Sequence, residues 1–183
     1  MSTFRALLFV PMLASVVYAQ EQAKPPLAVV PDVDLARYMG TWYEIARLPF
    51  RFQAKCASDV TATYTLLDDG NVRVVNRCRM EDGAITEATG LARRASREGP
   101  SGKLKVRFAP AWLSFLPFVW GDYWITVLAP DYTHAAVGVP DRKYLWILSR
   151  TPSMDETTLQ RILDQLRQNG YDLTRLMRIR TTS

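Results

Sequence analysis

The sequence predicts an all-β chain finished by one helix, and three observations carry that reading. Between residues 59 and 150, short runs alternate apolar and polar side chains, the period of a strand with one buried face. Clusters of Gly, Asn, Asp and Pro divide those runs at hairpin spacing, with no helical stretch between them. Helical periodicity enters only after Arg150. An antiparallel meander, a sandwich and a closed barrel all fit this pattern.

The first strand, residues 41–47, follows a tight bend at Gly40, and Gly40-x-Trp42 implies close backbone approach beside a large ring that needs burial. Residues 33–39 before it fit one helical turn, with Asp34 near its start. Residues 48–58 form a loop carrying Arg51, Lys55 and Cys56. In the second strand, residues 59–67, Val60, Ala62, Tyr64 and Leu66 share one face and Asp59, Thr61, Thr63 and Thr65 the other. Asp68-Asp69-Gly70-Asn71 is a hairpin turn. The third strand, residues 72–79, sets Val72, Val74, Asn76 and Cys78 against Arg73, Arg77 and Arg79. Turns at residues 81–83 and 97–102 flank a fourth strand, residues 84–93. The fifth, residues 103–108, alternates Leu104, Val106 and Phe108 with Lys103, Lys105 and Arg107. Residues 110–121 form an aromatic loop. The sixth strand, residues 123–128, leaves its parity open, because Trp124 and Leu128 suit an inward face as well as Tyr123 and Val127. A seventh covers residues 135–139 and an eighth residues 144–150.

The eighth strand is apolar on both faces, so a second layer must cover it. The next segment supplies one. Ser153 as N-cap and Glu156 three residues later match a capping box, Leu159, Ile162, Leu163 and Leu166 fall at helical spacing, and Asn169-Gly170 ends the run. This helix is expected to bury Leu145 and Ile147. A short last strand is expected within residues 173–180.

The 183 residues are expected to divide into a leader, residues 1–19, a flexible arm, residues 20–31, and one domain, residues 32–183. Arg5, the apolar run 6–17 and Ala19 fit a cleaved secretory signal, and that run is too short to span a bilayer. An uncleaved anchor is the alternative. No cysteine follows the expected cleavage point, which argues against lipid attachment there. The chain is therefore expected to be exported, periplasmic or secreted, with outer-membrane association left open, in a compartment that permits a disulfide. Net charge is +5 without a block of like charge, so nucleic acid is not an expected partner. With one histidine, His134, and two cysteines, Cys56 and Cys78, most metal sites are excluded, as is any triad not built on His134. No metal and no cofactor are expected.

Gly40-x-Trp42 early, Asp131-Tyr132 in a turn and Arg150 late together resemble the lipocalin family. The resemblance runs from about residue 32 to residue 178 and is to the branch of bacterial lipocalins and apolipoprotein D. Gly40-Thr41-Trp42-Tyr43-Glu44-Ile45-Ala46-Arg47, Val60-Thr61-Ala62-Thr63-Tyr64 and Leu145-Trp146-Ile147-Leu148-Ser149-Arg150-Thr151-Pro152 carry it. It implies an eight-stranded antiparallel up-and-down barrel, closed at one end, with one C-terminal helix and a short final strand. Following the chain up and down brings Gly40, Trp42, Asp131, Tyr132 and Arg150 to the closed end as a structural plug, with Arg150 over Trp42. Cys56 and Cys78 then lie near the mouth, where they can pair; free buried thiols are the alternative.

The lumen candidates of such a barrel are Ala62, Tyr64, Val74, Asn76, Val106, Phe108, Tyr123 and Trp146, of which the resemblance implies that Tyr64, Asn76, Phe108, Tyr123 and Trp146 are pocket positions. The alternative is that these side chains simply fill the barrel. The implied ligand is a fatty acid or lysophospholipid, and the implied role is lipid storage or transport in a bacterial envelope. Arg47, Arg51, Arg77 and Arg142 are candidates to meet an anionic head group near the mouth. The aromatic loop, with Trp112, Phe115 and Phe118, is read as a lid, a peripheral membrane contact or a partner patch. A monomer or weak homodimer is expected. No catalytic residue is assigned; the alternatives are an enzyme acting on a bound lipid or isoprenoid, and an interaction protein using the aromatic loop.

Overall fold

The computed structural model describes residues 25–182; the expected leader and residues 20–24 of the expected arm lie outside the described residues. A short helix, α1 (Leu35–Tyr38), leads into β1 (Gly40–Arg47). Then come β2 (Cys56–Leu66), β3 (Val72–Met80), β4 (Ile85–Arg94), β5 (Lys103–Arg107), β6 (Gly121–Leu128), β7 (His134–Gly138) and β8 (Leu145–Ser149). Helix α2 (Glu156–Gln168) and a two-residue strand β9 (Met177–Arg178) end the chain. Consecutive strands pair antiparallel from β1 to β8, and β8 returns to β1, so the meander closes into a barrel. β9 takes the edge of β1 at Ala46 and Arg47, above the point where β2 leaves it.

Alternating side chains make two cores. The first fills the lower barrel: Trp42, Tyr64, Val72, Val74, Leu104, Ile125, Val137 and Leu148, with Tyr38 of α1 closing the end. The second lies between barrel and helix, where Leu145 and Ile147 of β8 meet Leu159, Ile162 and Leu166 of α2. Both faces of β8 are thereby covered, as its composition requires.

Two bulges break the alternation. On β6 the register with β7 slips between Ile125 and Val127. Ile125 belongs to the interior, Val127 to the helix side and Leu128 to the interior again, so both parities suggested by the sequence are right, one on each side of the bulge. On β1 the slip falls between Glu44 and Ala46. Ile45 and Ala46 both face the helix side, and Arg47 returns to the side of its partner Trp146.

Several local expectations need correction. The N-cap of α2 is Asp155, whose carboxylate accepts from the Thr158 N–H at 2.9 Å; the Ser153 carbonyl instead accepts from the Thr151 hydroxyl. A carboxylate beside the helix N-terminus also favours the dipole. Residues 25–31 are not a free arm. Leu27 is buried in the helix-side core, Val30 N–H donates to the Ile125 carbonyl, and the Pro25 carbonyl accepts from Arg142. Gly102 admits this crossing, since a Cβ there would sit 2.5 Å from the Val30 carbonyl.

Candidate functional site

The closed end is built on Gly40, whose φ of +94° lets the chain bend into β1. The Arg150 guanidinium lies 3.9 Å from the centre of the fully buried Trp42 ring. It also donates to the carbonyls of Thr41, Arg37 and Tyr132 at 3.1, 2.8 and 3.3 Å. Trp42 Nε1 donates to the Tyr38 carbonyl at 2.9 Å. In the turn between β6 and β7, the Asp131 carboxylate accepts from Thr133, and the Tyr132 hydroxyl accepts from the Asp34 N–H. Gly40, Trp42, Asp131, Tyr132 and Arg150 therefore lie together at this end of the barrel.

Above it, three tyrosine hydroxyls form a chain. Tyr123 stands between Tyr38, at 2.9 Å, and Tyr64, at 2.8 Å. Burial raises all three hydroxyl pKa values, Tyr64 to about 12. Tyr64, Val74, Val106 and Tyr123, four of the expected lumen residues, line a cavity of about 10 Å³ with Leu104 and Val72. No hydrocarbon chain fits there; the lower barrel is full.

The upper barrel is different. Ala88 shares the inward parity of Gly90 and Ala92, which pair with the interior residues Val74 and Val72, yet Ala88 and Thr86 are exposed. Phe108 is 45% exposed although its ring lies across Gly90, where a Cβ would stand 2.8 Å from it. Ala62 and Asn76, a cross-strand pair, are half-buried at the same height. Inward side chains that touch water mark a cup open above the tyrosines.

One side of that cup is capped. Arg47 Nη1 donates to Glu44 Oε1 at 2.7 Å and Nη2 to the Gln53 carbonyl at 3.2 Å. The Gln53 side chain donates to Glu44 Oε2 and accepts from Trp146 Nε1, both at 2.8 Å. Phe50, Tyr144 and Trp146 stack edge to face over this network. Burial pushes the Glu44 carboxyl up against the pull of Arg47. Sequence reasoning missed Glu44 and Gln53, because on an unbroken strand residues 44 and 47 point to opposite faces; only the β1 bulge brings them together.

The basic candidates therefore disperse. Arg47 is a buried internal ion pair, not a rim residue. Arg77 is exposed on the barrel exterior between Thr61 and Glu87. Arg142 donates to the Asn169 carbonyl at the C-terminus of α2 as well as to Pro25. Arg51 alone of the four is exposed at the mouth, over the Phe52 ring. Cys56 and Cys78 are joined as a disulfide. In the loop between β5 and β6, Trp112, Phe115 and Phe118 are 72%, 76% and 81% exposed, while Trp120 is buried beneath Arg93 and Arg107 and donates to the Ser114 carbonyl. His134 begins β7 at the closed end, beside Thr133. Among the described residues, no three His, Cys, Asp or Glu side chains are grouped to hold a metal ion, and no helix is long and apolar enough to cross a membrane.

A family model described as a lipocalin-like domain matches residues 33–181. The chain is a lipocalin. It is 44% identical to temperature-induced lipocalin-1 of Arabidopsis thaliana over 154 residues, covering 84% of this chain and 82% of that one. With the outer membrane lipoprotein Blc of Escherichia coli (strain K12) it shares 38% over 173 residues, covering 90% and 89%. Apolipoprotein D of Mus musculus is 30% identical over 160 residues, covering 83% and 79%. Among solved structures, insecticyanin of Manduca sexta superposes with a TM-score of 0.67 at 22% identity, over 88% and 87% of the two chains, and bears out the fold. The expected membership of the branch of bacterial lipocalins and apolipoprotein D holds. With the family comes its general role, the binding of small hydrophobic ligands.

Proposed function

We propose that this lipocalin carries a single-chain amphiphile, a fatty acid or lysophospholipid, with the tail in the upper cup and the polar end at the mouth. The observation that carries this reading is the open, inward-facing surface of Ala88, Gly90 and Phe108 above a filled tyrosine floor. A tail there meets Ala62, Phe108 and Trp146 and stops at Tyr64 and Tyr123. Arg51, with the exposed Lys55 beside it, is the remaining anionic head-group candidate. Export with removal of residues 1–19 and work at a bacterial envelope complete the reading, supported by the Blc relatives.

Delipidated protein titrated calorimetrically with a fatty acid tests it. Saturable one-to-one binding that weakens at least tenfold in Ala88→Trp, a substitution that fills the cup above the floor, is expected. Unchanged affinity in that variant refutes the placement. A membrane contact through Trp112, Phe115 and Phe118, joined by Phe52 at the same end, is the companion proposal. Trp112→Ser with Phe115→Ser is expected to abolish co-sedimentation with anionic liposomes while fatty-acid binding persists.

A further inference from the structure

We infer that this lipocalin is a receptor for N-acylated peptides, with the acyl chain in the cup and the peptide paired along the free edge of β4. β4 pairs with β3 from Ile85 to Ala92, but β5 meets it only at Leu91, Ala92, Arg93 and Arg94. Among the described residues, no strand pairs with residues 85–90 on the β5 side. Two hydrogen bonds fix which main-chain groups point that way. The Ala84 carbonyl accepts from Met80 N–H on the β3 side, and Ala95 N–H donates to the Lys103 carbonyl on the β5 side. Alternation along an unbroken strand then turns the N–H and C=O of Ile85, Glu87 and Thr89 toward the open β5 side, in the plane of the sheet. Residues 85–89 are all exposed.

This edge adjoins the lumen. Thr86 and Ala88 face the cup from the same strand, and Phe108 lying across Gly90 forms an apolar sill beneath it. A bare hydrocarbon against the edge would leave three donors and three acceptors without water. An extended peptide satisfies them by strand addition, with its acyl group passing over the sill. A second copy of this chain fits less well, because two-fold pairing about the middle of the edge sets Glu87 against Glu87.

The inference rests on an acyl chain occupying the cup, so the experiment separates the two. Delipidated protein is titrated calorimetrically with myristate, a neutral myristoylated hexapeptide and the same hexapeptide unacylated. The acylated peptide is expected to bind at least tenfold tighter than myristate, and the unacylated one not measurably. Glu87→Pro, which removes an edge donor without touching the β3 ladder, is expected to erase that advantage and leave myristate within twofold. Amide exchange at Ile85, Glu87 and Thr89 is expected to slow at least tenfold with the acylated peptide and not with myristate, a readout independent of how the variant folds. Equal affinity for myristate and acylated peptide, an advantage that survives Glu87→Pro, or an edge already protected by dimerisation of the free protein overturns the inference while the carrier reading stands. Failure of both myristate and the myristoylated peptide to bind overturns both.

Discussion

Tyr123→Phe is the sharpest probe of the floor. Among the described residues its hydroxyl is the sole partner of both neighbouring tyrosine hydroxyls, so the variant removes two hydrogen bonds and strands two buried polar groups. Each stranded hydroxyl costs about 1–3 kcal/mol, a total of about 2–6 kcal/mol. The adjoining cavity of about 10 Å³ is apolar, so a water is not expected to replace the lost oxygen. Tyr38→Phe and Tyr64→Phe each remove one bond and leave Tyr123 with the other, a loss of about 1 kcal/mol. Thermal unfolding should therefore rank Tyr123→Phe lowest, with Tm down by roughly 4–24 °C for a chain of this size. The alkaline limb gives a second reading. Burial raises the folded-state values, Tyr64 to about 12, above the ordinary tyrosine value of 10.0. The folded chain keeps protons the unfolded chain has released, so stability is intact below pH 10 and falls as pH climbs toward 12. Tyr123→Phe leaves two such groups, and its alkaline loss should be shallower. A Tyr123→Phe variant within 0.5 kcal/mol of either single-bond variant would refute the reasoning.

Three further outcomes are expected. Glu44→Gln leaves the Arg47 charge buried without its counter-ion and should cost about 3–5 kcal/mol in urea unfolding, far more than an exposed pair such as Lys143 with Asp141. Arg150→Ala loses the stack on Trp42, worth about 0.5–2 kcal/mol, and three carbonyl bonds besides; Arg150→Lys should fall between it and the parent, because an ammonium cannot span three acceptors in that fork. Non-reducing mass spectrometry should find no free thiol, and reduction of the bond between Cys56 and Cys78, 22 residues apart, should cost about 3 kcal/mol.

Much of the barrel was legible because its turns and alternation are local. Asp69-Gly70 and Asp82-Gly83 stop strands where the structure stops them, and the two-faced apolar pattern of β8 required a covering helix that α2 supplies. The plug was legible through the resemblance, since Gly40, Trp42 and Arg150 meet only once a topology is assumed. What could not be read is whatever depends on side chains competing over long sequence distances. Local spacing places Tyr38 on a helical turn, where the structure has it, but says nothing of its hydroxyl reaching Tyr123, 85 residues away. Phe108 has the parity of a lumen residue, but its exposure depends on β5 ending at Arg107 while β4 runs on, and strand length on one side says nothing of its neighbour.

The bulge in β1 shows how one such feature redirects function. Without it, Ala46 would face the lumen and Arg47 the outside, where the guanidinium would be one more solvated cation near the mouth. With it, Arg47 enters the barrel and needs a counter-charge, which Glu44 provides, and a cover, which Gln53 and the ring of Phe50 provide. The ion pair then occupies the β1 and β8 side of the cup and leaves the β4 side to a guest. A polar cluster inside a lipid-binding barrel is thus not a contradiction: satisfied by its own partners, it walls off one half of the mouth and fixes the direction from which an apolar chain can come. Removing Gln53 should therefore affect binding more than folding. Gln53→Ala opens that side to water and strands Trp146 Nε1, and a fatty acid should bind more weakly while Tm falls by only a few degrees.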